Sequence, residues 1–498
     1  MENLLLGLSS FGAAPVWFGL LGGALIGYFI GAIPGLGPSL GIALLIPFTY
    51  GMDPVVAIVT LVALYVAAEY GGAISAVLIN SPGTVSAVPT SWDGYPMTLQ
   101  GKAGMALNIS IMASGIGILL SAVLLALTAV PLAELALILG PAEYFALALL
   151  GLTFTAGLSQ GSALKGAVAM GLGLALATVG LDGQSGLPRF APSYQFFEGL
   201  PLVPVLLGLY AISEVFVLVE KRAEPQRQAT EIRGLLAVPL KSYDALKGTI
   251  LRSSLLGYVI GVLPGAGPAI ASFISYAVAR RLSPSPERFG EGAPEGVAAS
   301  EAANNAAVSG VMAPTLALGI PGSATSAILI GALTIHGLQP GPLLFSQSPE
   351  IPYTIFVSLF LGVPVMVLFG LFGARLWARL ANVPRPIVAA GVAVICLAGS
   401  YATKSSMFPV YVTLAFGVIG YLFRKTGIPL APIVLALVLG EMIETNFRRA
   451  VVISGGDYWI FLQNPVSAVL LAIAAAAFLV PAAKALFGPR KANGHAPG

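Results

Sequence analysis

One octapeptide occurs twice in this chain with the same placement of glycine and proline. Gly31-Ala32-Ile33-Pro34-Gly35-Leu36-Gly37-Pro38 returns as Gly261-Val262-Leu263-Pro264-Gly265-Ala266-Gly267-Pro268, a displacement of 264 − 34 = 230 residues. A second pair of breaks follows, Asn80-Ser81-Pro82-Gly83-Thr84 after the first copy and Gly319-Ile320-Pro321-Gly322-Ser323-Ala324-Thr325 after the second, each time beyond an apolar run. The halves of the chain are therefore related. Each carries Pro and Gly, the poorest helix formers, inside segments apolar enough for a bilayer. Interruptions at corresponding positions of two halves point to a solute site at the interface of the repeats.

Composition settles the solvent. Charged residues make up 9% and hydrophobic residues 57% of the 498 residues, and mean hydropathy is +0.91, whereas soluble domains carry about 25% charged residues. The expected fold is all-α: a polytopic membrane protein of about a dozen transmembrane helices, built from two inverted repeats with broken helices and re-entrant hairpins. Apolar runs fall at 14–33, 54–79, 104–128, 131–156, 162–180 and 200–219, then at 248–279, 297–319, 324–345, 352–374, 386–402, 407–423, 429–447 and 463–487. This divides the chain into a first membrane repeat at 1–220, a linker at 221–247, a second repeat with additional C-terminal helices at 248–487 and a polar tail at 488–498.

Basic residues gather in the one long polar connection: Lys221, Arg222, Arg227, Arg233, Lys241, Lys247 and Arg252. The positive-inside rule makes that loop, and the tail with Lys484, Arg490 and Lys491, cytoplasmic. Glu220, Glu224, Glu231 and Asp244 interrupt the cluster and no aromatic platform accompanies it, so no nucleic-acid partner is expected. The N-terminus lacks a basic region ahead of its first span, so no cleavable signal is expected. Cys396 stands alone and has no disulfide partner. Asn108-Ile109-Ser110 fits a glycosylation pattern but falls in an apolar run and reads as chance.

Chemistry is expected at the breaks. Pro34, Gly35, Gly37 and Pro38, like Pro264, Gly265, Gly267 and Pro268, free backbone carbonyls in a medium without water. Such carbonyls can coordinate a small cation, Na⁺ among them, and the helix that resumes presents a positive dipole end. An ordinary Pro kink or small-residue packing site is the alternative. The second pair adds hydroxyls: Asn80, Ser81, Pro82, Gly83 and Thr84 in one half, Gly319, Pro321, Gly322, Ser323 and Thr325 in the other. Chain reversals with hydroxyls and free amides form an anion cradle; a capped turn at the membrane surface is the alternative.

Glu69 lies in an apolar run, where a charge costs about 2.5–3.5 kcal/mol on insertion scales. It is a candidate cation or proton partner, or else an interfacial carboxylate at a helix end. Glu301, Asn304 and Asn305 form a polar face at helical spacing that lines a pathway or joins helices. Asp93-Gly94-Tyr95-Pro96 corresponds to His336-Gly337-Leu338-Gln339-Pro340, and both read as turns. No His or Cys accompanies His336, so no transition-metal site is expected. Phosphate-binding loops, zinc-hydrolase motifs and hydrolase dyads are missing from the sequence, so no enzyme activity and no organic cofactor are expected.

Gly31 to Pro38, the run from Tyr70 to Thr84, Asp93 to Pro96 and Gln100-Gly101-Lys102-Ala103-Gly104 resemble the large membrane subunit of the tripartite tricarboxylate transporters. Gly261 to Pro268, Glu301 to Asn305 and Leu318 to Ser323 resemble the second repeat of that family, so the likeness covers most of residues 14–450. Ser81 departs from it, an apolar residue being more usual there. The resemblance implies a multi-pass protein of the bacterial inner membrane that takes organic carboxylates from a periplasmic solute-binding protein, works with a small four-helix membrane subunit, and uses a cation gradient. Physics agrees on the last point. Importing a trivalent anion against 100 mV costs roughly 3 × 2.3 kcal/mol, which co-transported cations must offset. The residues leave Na⁺ and H⁺ both open. An uncoupled organic-anion channel or exporter, and a non-transporting membrane scaffold subunit, are the competing functions.

Overall fold

The computed structural model describes residues 2–157, 163–220, 232, 235, 241–380 and 383–487. Most of the basic linker, including Lys221, Arg222, Arg227 and Arg233, and the tail from residue 488 lie outside the described residues.

After α1 (Glu2–Ser10), the first half runs α2 (Ala14–Ala32), α3 (Gly37–Thr49), α4 (Pro54–Ile79), α5 (Val88–Leu99) and α6 (Ala103–Ile138). Three helices follow, α7 (Pro141–Gly157), α8 (Ala163–Ala177) and α9 (Leu202–Glu220), the last containing a π-helical stretch at Leu207–Ile212. The second half repeats the order: α10 (Lys241–Val262), α11 (Gly267–Leu282), α12 (Pro294–Leu318), α13 (Ala324–Ile335), α14 (Pro342–Gln347) and α15 (Glu350–Leu380). The chain ends with α16 (Arg385–Lys404), α17 (Phe408–Thr426), α18 (Leu430–Ile453), α19 (Ile460–Gln463) and α20 (Pro465–Phe487). Strand structure is confined, among the described residues, to the antiparallel pairing of Gly180–Leu181 with Pro188–Arg189. The protein is thus an all-α, multi-pass membrane protein, with seven helices among the described residues long and apolar enough to cross a bilayer.

Local chemistry explains the repeated order. Both octapeptides end one helix at an extended or turn residue and start the next at a glycine with positive φ: Gly35 and Gly37 at 93° and 61°, Gly265 and Gly267 at 80° and 60°. That conformation is costly for any residue with a Cβ. Both interior helices, α4 and α12, stop in a left-handed cap, at Asn80 (φ 54°) and Gly319 (φ 71°). Between α4 and α12 the register shift is 319 − 80 = 239 residues, and packing obeys it. A Cβ on Gly31 would fall 2.2 Å from the Ala68 carbonyl oxygen, and one on Gly261 would fall 2.6 Å from that of Ala307. These glycines let α2 lie directly on α4 and α10 on α12.

The halves also exchange partners. α6 packs on α12 of the other half, and α15 packs on α4. The broken helix α3 meets α13, while α11 meets the turn Val85–Ala87 just before α5. With 13 and 12 residues, α3 and α13 are about 20 Å long, too short to cross a hydrocarbon core of about 30 Å. Helices of that length are what re-entrant segments require. α7, α8, α18 and α20 form one flank, and α9, α16 and α17 another.

Three expectations need correction. The runs 104–128 and 131–156 do not divide near Pro131; α6 continues through it to Ile138, and the break comes at Leu139-Gly140. A membrane helix tolerates an interior proline because neighbouring helices compensate for the missing hydrogen bond. The run 324–345 is two helices, parted at His336 to Gly341. Asp93-Gly94-Tyr95-Pro96 is no turn: it lies inside α5, and Asp93 serves tertiary structure instead.

Candidate functional site

The crossing of the halves brings one tip onto both broken helices. Ser39, in the first turns of α3, shares a 2.7 Å hydrogen bond with Thr325 of α13. The Gly265 amide donates to the Gly322 carbonyl at 3.0 Å, and a Cβ on Gly267 would lie 3.1 Å from Cβ of Ser323. From α4, the Tyr65 hydroxyl stands 3.3 Å from Ser323 Oγ. Ser323 also caps α13, accepting from the Ser326 amide at 3.1 Å, while its own amide donates to Ser326 Oγ at 2.9 Å. This capping box aims the first turn of α13, with its orphan amides, at the crossing. Gly319, Pro321, Gly322 and Thr325 are buried and Ser323 half-buried.

The first tip is built differently. Asn80 is exposed, Ser81 and Pro82 are half-buried, and Gly83 and Thr84 are buried. Gly83 donates to the Gly72 carbonyl at 3.1 Å, and a Cβ there would lie 2.0 Å from the Gly31 carbonyl oxygen. The tip is therefore wedged against both helices of its own half. Thr84 Oγ1 pairs with Ser86 Oγ at 2.8 Å, and Ser86 donates to Glu69 Oε2 at 2.5 Å. Glu69 is 4% exposed and ten residues before the end of α4. It sits within the helix rather than at its end.

Next to that layer, α12 carries a second buried carboxylate. Thr90 donates to Glu301 Oε1 at 2.5 Å, and Ser114 of α6 to Oε2 at 3.0 Å. The Asn305 amide nitrogen donates to Ser114 Oγ at 2.8 Å. Both side-chain polar atoms of Asn304 and Oδ1 of Asn305 are buried without a partner. Glu69 and Glu301 are within electrostatic reach of each other.

The two breaks have unlike surroundings. A Cβ on Gly35 would lie 3.0 Å from Glu214 Oε1, and Glu214 is ion-paired with Arg424. A Cβ on Gly265 would strike Thr155 Oγ1 at 2.2 Å. Pro34 and Pro264 are both half-buried at these turns.

The second tip thus meets both breaks, and the first tip joins Glu69 through Ser86, with Asn80 exposed. Sequence reasoning missed Ser39, Tyr65, Ser86, Thr90 and Ser114, the hydroxyls that hold the region together. Ser110 and Ser114, one turn apart in an apolar run, were the available signal. Asp93, read as part of a turn, is instead fully buried and accepts the Gly290, Gly292 and Ala293 amides at 2.8, 3.0 and 2.8 Å and the Tyr276 hydroxyl at 2.8 Å. His336 ends α13 and reaches Thr49 Oγ1 at 3.2 Å.

Comparison with known proteins gives a consistent result. The chain is 36% identical over 459 residues, 92% of its length and 91% of the relative's, to an Agrobacterium vitis protein described as "Uncharacterized 52.8 kDa protein in TAR-I ttuC' 3'region". It is 37% identical over 217 residues, 44% of its own length and 90% of the relative's, to another from the same organism, "Uncharacterized protein in TAR-II ttuC' 3'region". No solved structure matches. The sequence model of the "Tripartite tricarboxylate transporter TctA family" matches residues 18–435. With the duplicated breaks, the exchanged helices and this match across most of its length, the chain belongs to the tripartite tricarboxylate transporter TctA family.

Proposed function

We propose that this chain is the large, substrate-translocating subunit of a binding-protein-dependent secondary transporter of the bacterial inner membrane. It takes up tricarboxylates or related organic acids together with Na⁺ or H⁺. A small four-helix membrane subunit and a periplasmic solute-binding protein are its partners.

The observation that carries this reading is the crossing at Ser323 to Thr325, where a helix start, both broken helices and a tyrosine hydroxyl meet. A helix N-terminus contributes about 0.3–1 kcal/mol toward an anion, and up to about 2 when partly buried. Hydroxyls from Ser39, Tyr65, Ser323 and Thr325 add donors without fixed charge, so a carboxylate can be bound and released. The carboxylates of Glu69 and Glu301 nearby favour a cation, the charge that an imported polyanion needs beside it. Opposite membrane orientation of the halves would place both tips near mid-membrane.

Counterflow of labelled citrate in proteoliposomes containing the complete assembly tests this. Saturable exchange accelerated by an inward cation gradient is expected. Flux that never saturates and ignores the gradient would mark a channel, and no flux at all a scaffold.

A further inference from the structure

We propose that the coupling cation is Na⁺ and that it is held by side chains at the α6–α12 contact, with Glu301, Asn305, Ser110 and Ser114 as its oxygen donors and Asn304 beside them. The inference rests on the transport reading above and moves the cation from the backbone of the breaks to the side chains next to them.

Glu301 is completely buried. Both of its oxygens are hydrogen-bonded to hydroxyls, those of Thr90 and Ser114, and in its ionised form it places a full negative charge there. Burying such a charge is costly unless an opposite charge neutralises it. Neither Glu301 nor Glu69 takes part in an ion pair among the described residues. The titratable groups that act on Glu301 are Glu69 and Tyr70, both from α4. α5 and α6 offer it hydroxyls only. Among the described residues, the surroundings therefore add negative charge and offer Glu301 no ion pair.

Unpartnered oxygens mark where the missing charge belongs. Asn305 Nδ2 is tied to Ser114 Oγ and, at 3.3 Å, to the Glu301 carbonyl. Its Oδ1, on the same amide carbon, is thereby fixed beside the Ser114–Glu301 pair and has no partner. Ser110 Oγ, one turn from Ser114, is also buried and turned toward the Glu301 carboxylate, a third hydroxyl beside it. Asn304, one turn from Glu301, is fully buried with both polar atoms unpaired. A proton on Glu301 would satisfy one acceptor at most. A hard cation takes several oxygens at once, carboxylate, amide carbonyl and hydroxyl together.

The site also reaches the substrate. Glu69 acts on the charge of Glu301 and accepts from Ser86, which pairs with Thr84 of the first tip. A cation at Glu301 lowers the repulsion between the two carboxylates and so stabilises the ionised Glu69 that anchors that tip. Binding of cation and arrangement of tip are then linked.

Equilibrium binding of radiolabelled Na⁺ to the purified full-length chain, without any transport readout, tests the assignment. Saturable binding is expected, abolished in Glu301→Gln and with half-saturation raised about tenfold in Ser110→Ala, which removes one oxygen and no charge. Ser121→Ala serves as control, since Ser121 bonds Ser309 at 2.9 Å further along the same helix pair; its Na⁺ binding should match the wild type. Should Glu301→Gln fail to fold, Ser110→Ala still decides. Unchanged Na⁺ binding in Ser110→Ala and Glu301→Gln overturns the site, as does proton uptake through Glu301 with no Na⁺ bound. Intact, Glu301-dependent Na⁺ binding in a protein that moves no carboxylate would keep the site and sink the transport reading.

Discussion

The two ends of the crossing are alike in backbone and unlike in chemistry. Midway along α5, Asp93 reaches into the loop before α12 and accepts three amides and a phenol from the other half. At the end of α13, His336 meets the other half through a single 3.2 Å contact with Thr49. The Thr49 hydroxyl donates to the Ile46 carbonyl, so the imidazole is the donor there. One junction is a clasp and the other a touch. Gene duplication can supply the same scaffold twice; a transporter that opens to one side at a time needs the two sides to differ in how firmly they close.

The same inequality runs through the interior. With the 239-residue shift, Glu301 of α12 corresponds to Val62 of α4, Glu69 to Val308, and Asn304 to Tyr65. Each carboxylate faces an aliphatic residue in its counterpart. The repeated glycines fix how helices approach, and the unrepeated polar residues decide what the space between them binds.

The largest effect is expected at the clasp. Asp93→Ala removes a charged acceptor from four donors and should cost about 3 kcal/mol or more, read as loss of folded protein in detergent unfolding curves. Stability equal to the wild type would break the comparison. Next comes the first tip: Gly83→Ala drives a Cβ to 2.0 Å from a backbone carbonyl, whereas Gly322→Ala brings one to 2.8 Å from the Val311 side chain. Overpacking costs about 1–3 kcal/mol, and the first substitution should be the worse, since backbone cannot rotate away. His336→Ala should cost no more than about 1 kcal/mol, well below Asp93→Ala under the same conditions.

The smallest effect concerns a carboxylate outside the crossing. Asp182, in the connection between α8 and α9, is held well below the usual carboxylate range by the Arg448 guanidinium and the Ser185 and Gln184 amides. A depressed folded-state value gives stabilisation that is present above the unfolded value and lost as pH falls toward the folded one. Proteolysis within 178–201 should therefore be constant from neutral pH to about pH 5 and quicken below about pH 4.

Much of this architecture was legible in the sequence because it rests on backbone restriction. Gly35, Gly37, Gly265 and Gly267 all take the positive φ that their type permits, and Pro-Gly at both tips does end α4 and α12. Whether a proline ends a helix was not legible. Pro131 lies within α6, since neighbours in space, not in sequence, decide that outcome. The cross-half contacts were hidden for the same reason: nothing local links Ser39 to Thr325 or Asp93 to Gly290. Serine and threonine in apolar helices read as small packing residues until their partners, Glu69 and Glu301, are seen opposite them. Asp93 followed by glycine and proline carries every local mark of a turn, yet α5 runs through it because its side chain is satisfied by the other half.

The central claim is that both tips border one carboxylate site, and thiol protection tests it most directly. Cys396 is the single cysteine of the chain and is buried, so Cys396→Ser provides a background for Ser81→Cys and Ser323→Cys. The account predicts that a transported carboxylate slows labelling at both positions in membranes, and that the effect requires the coupling cation. Labelling at both positions that is indifferent to substrate would contradict it.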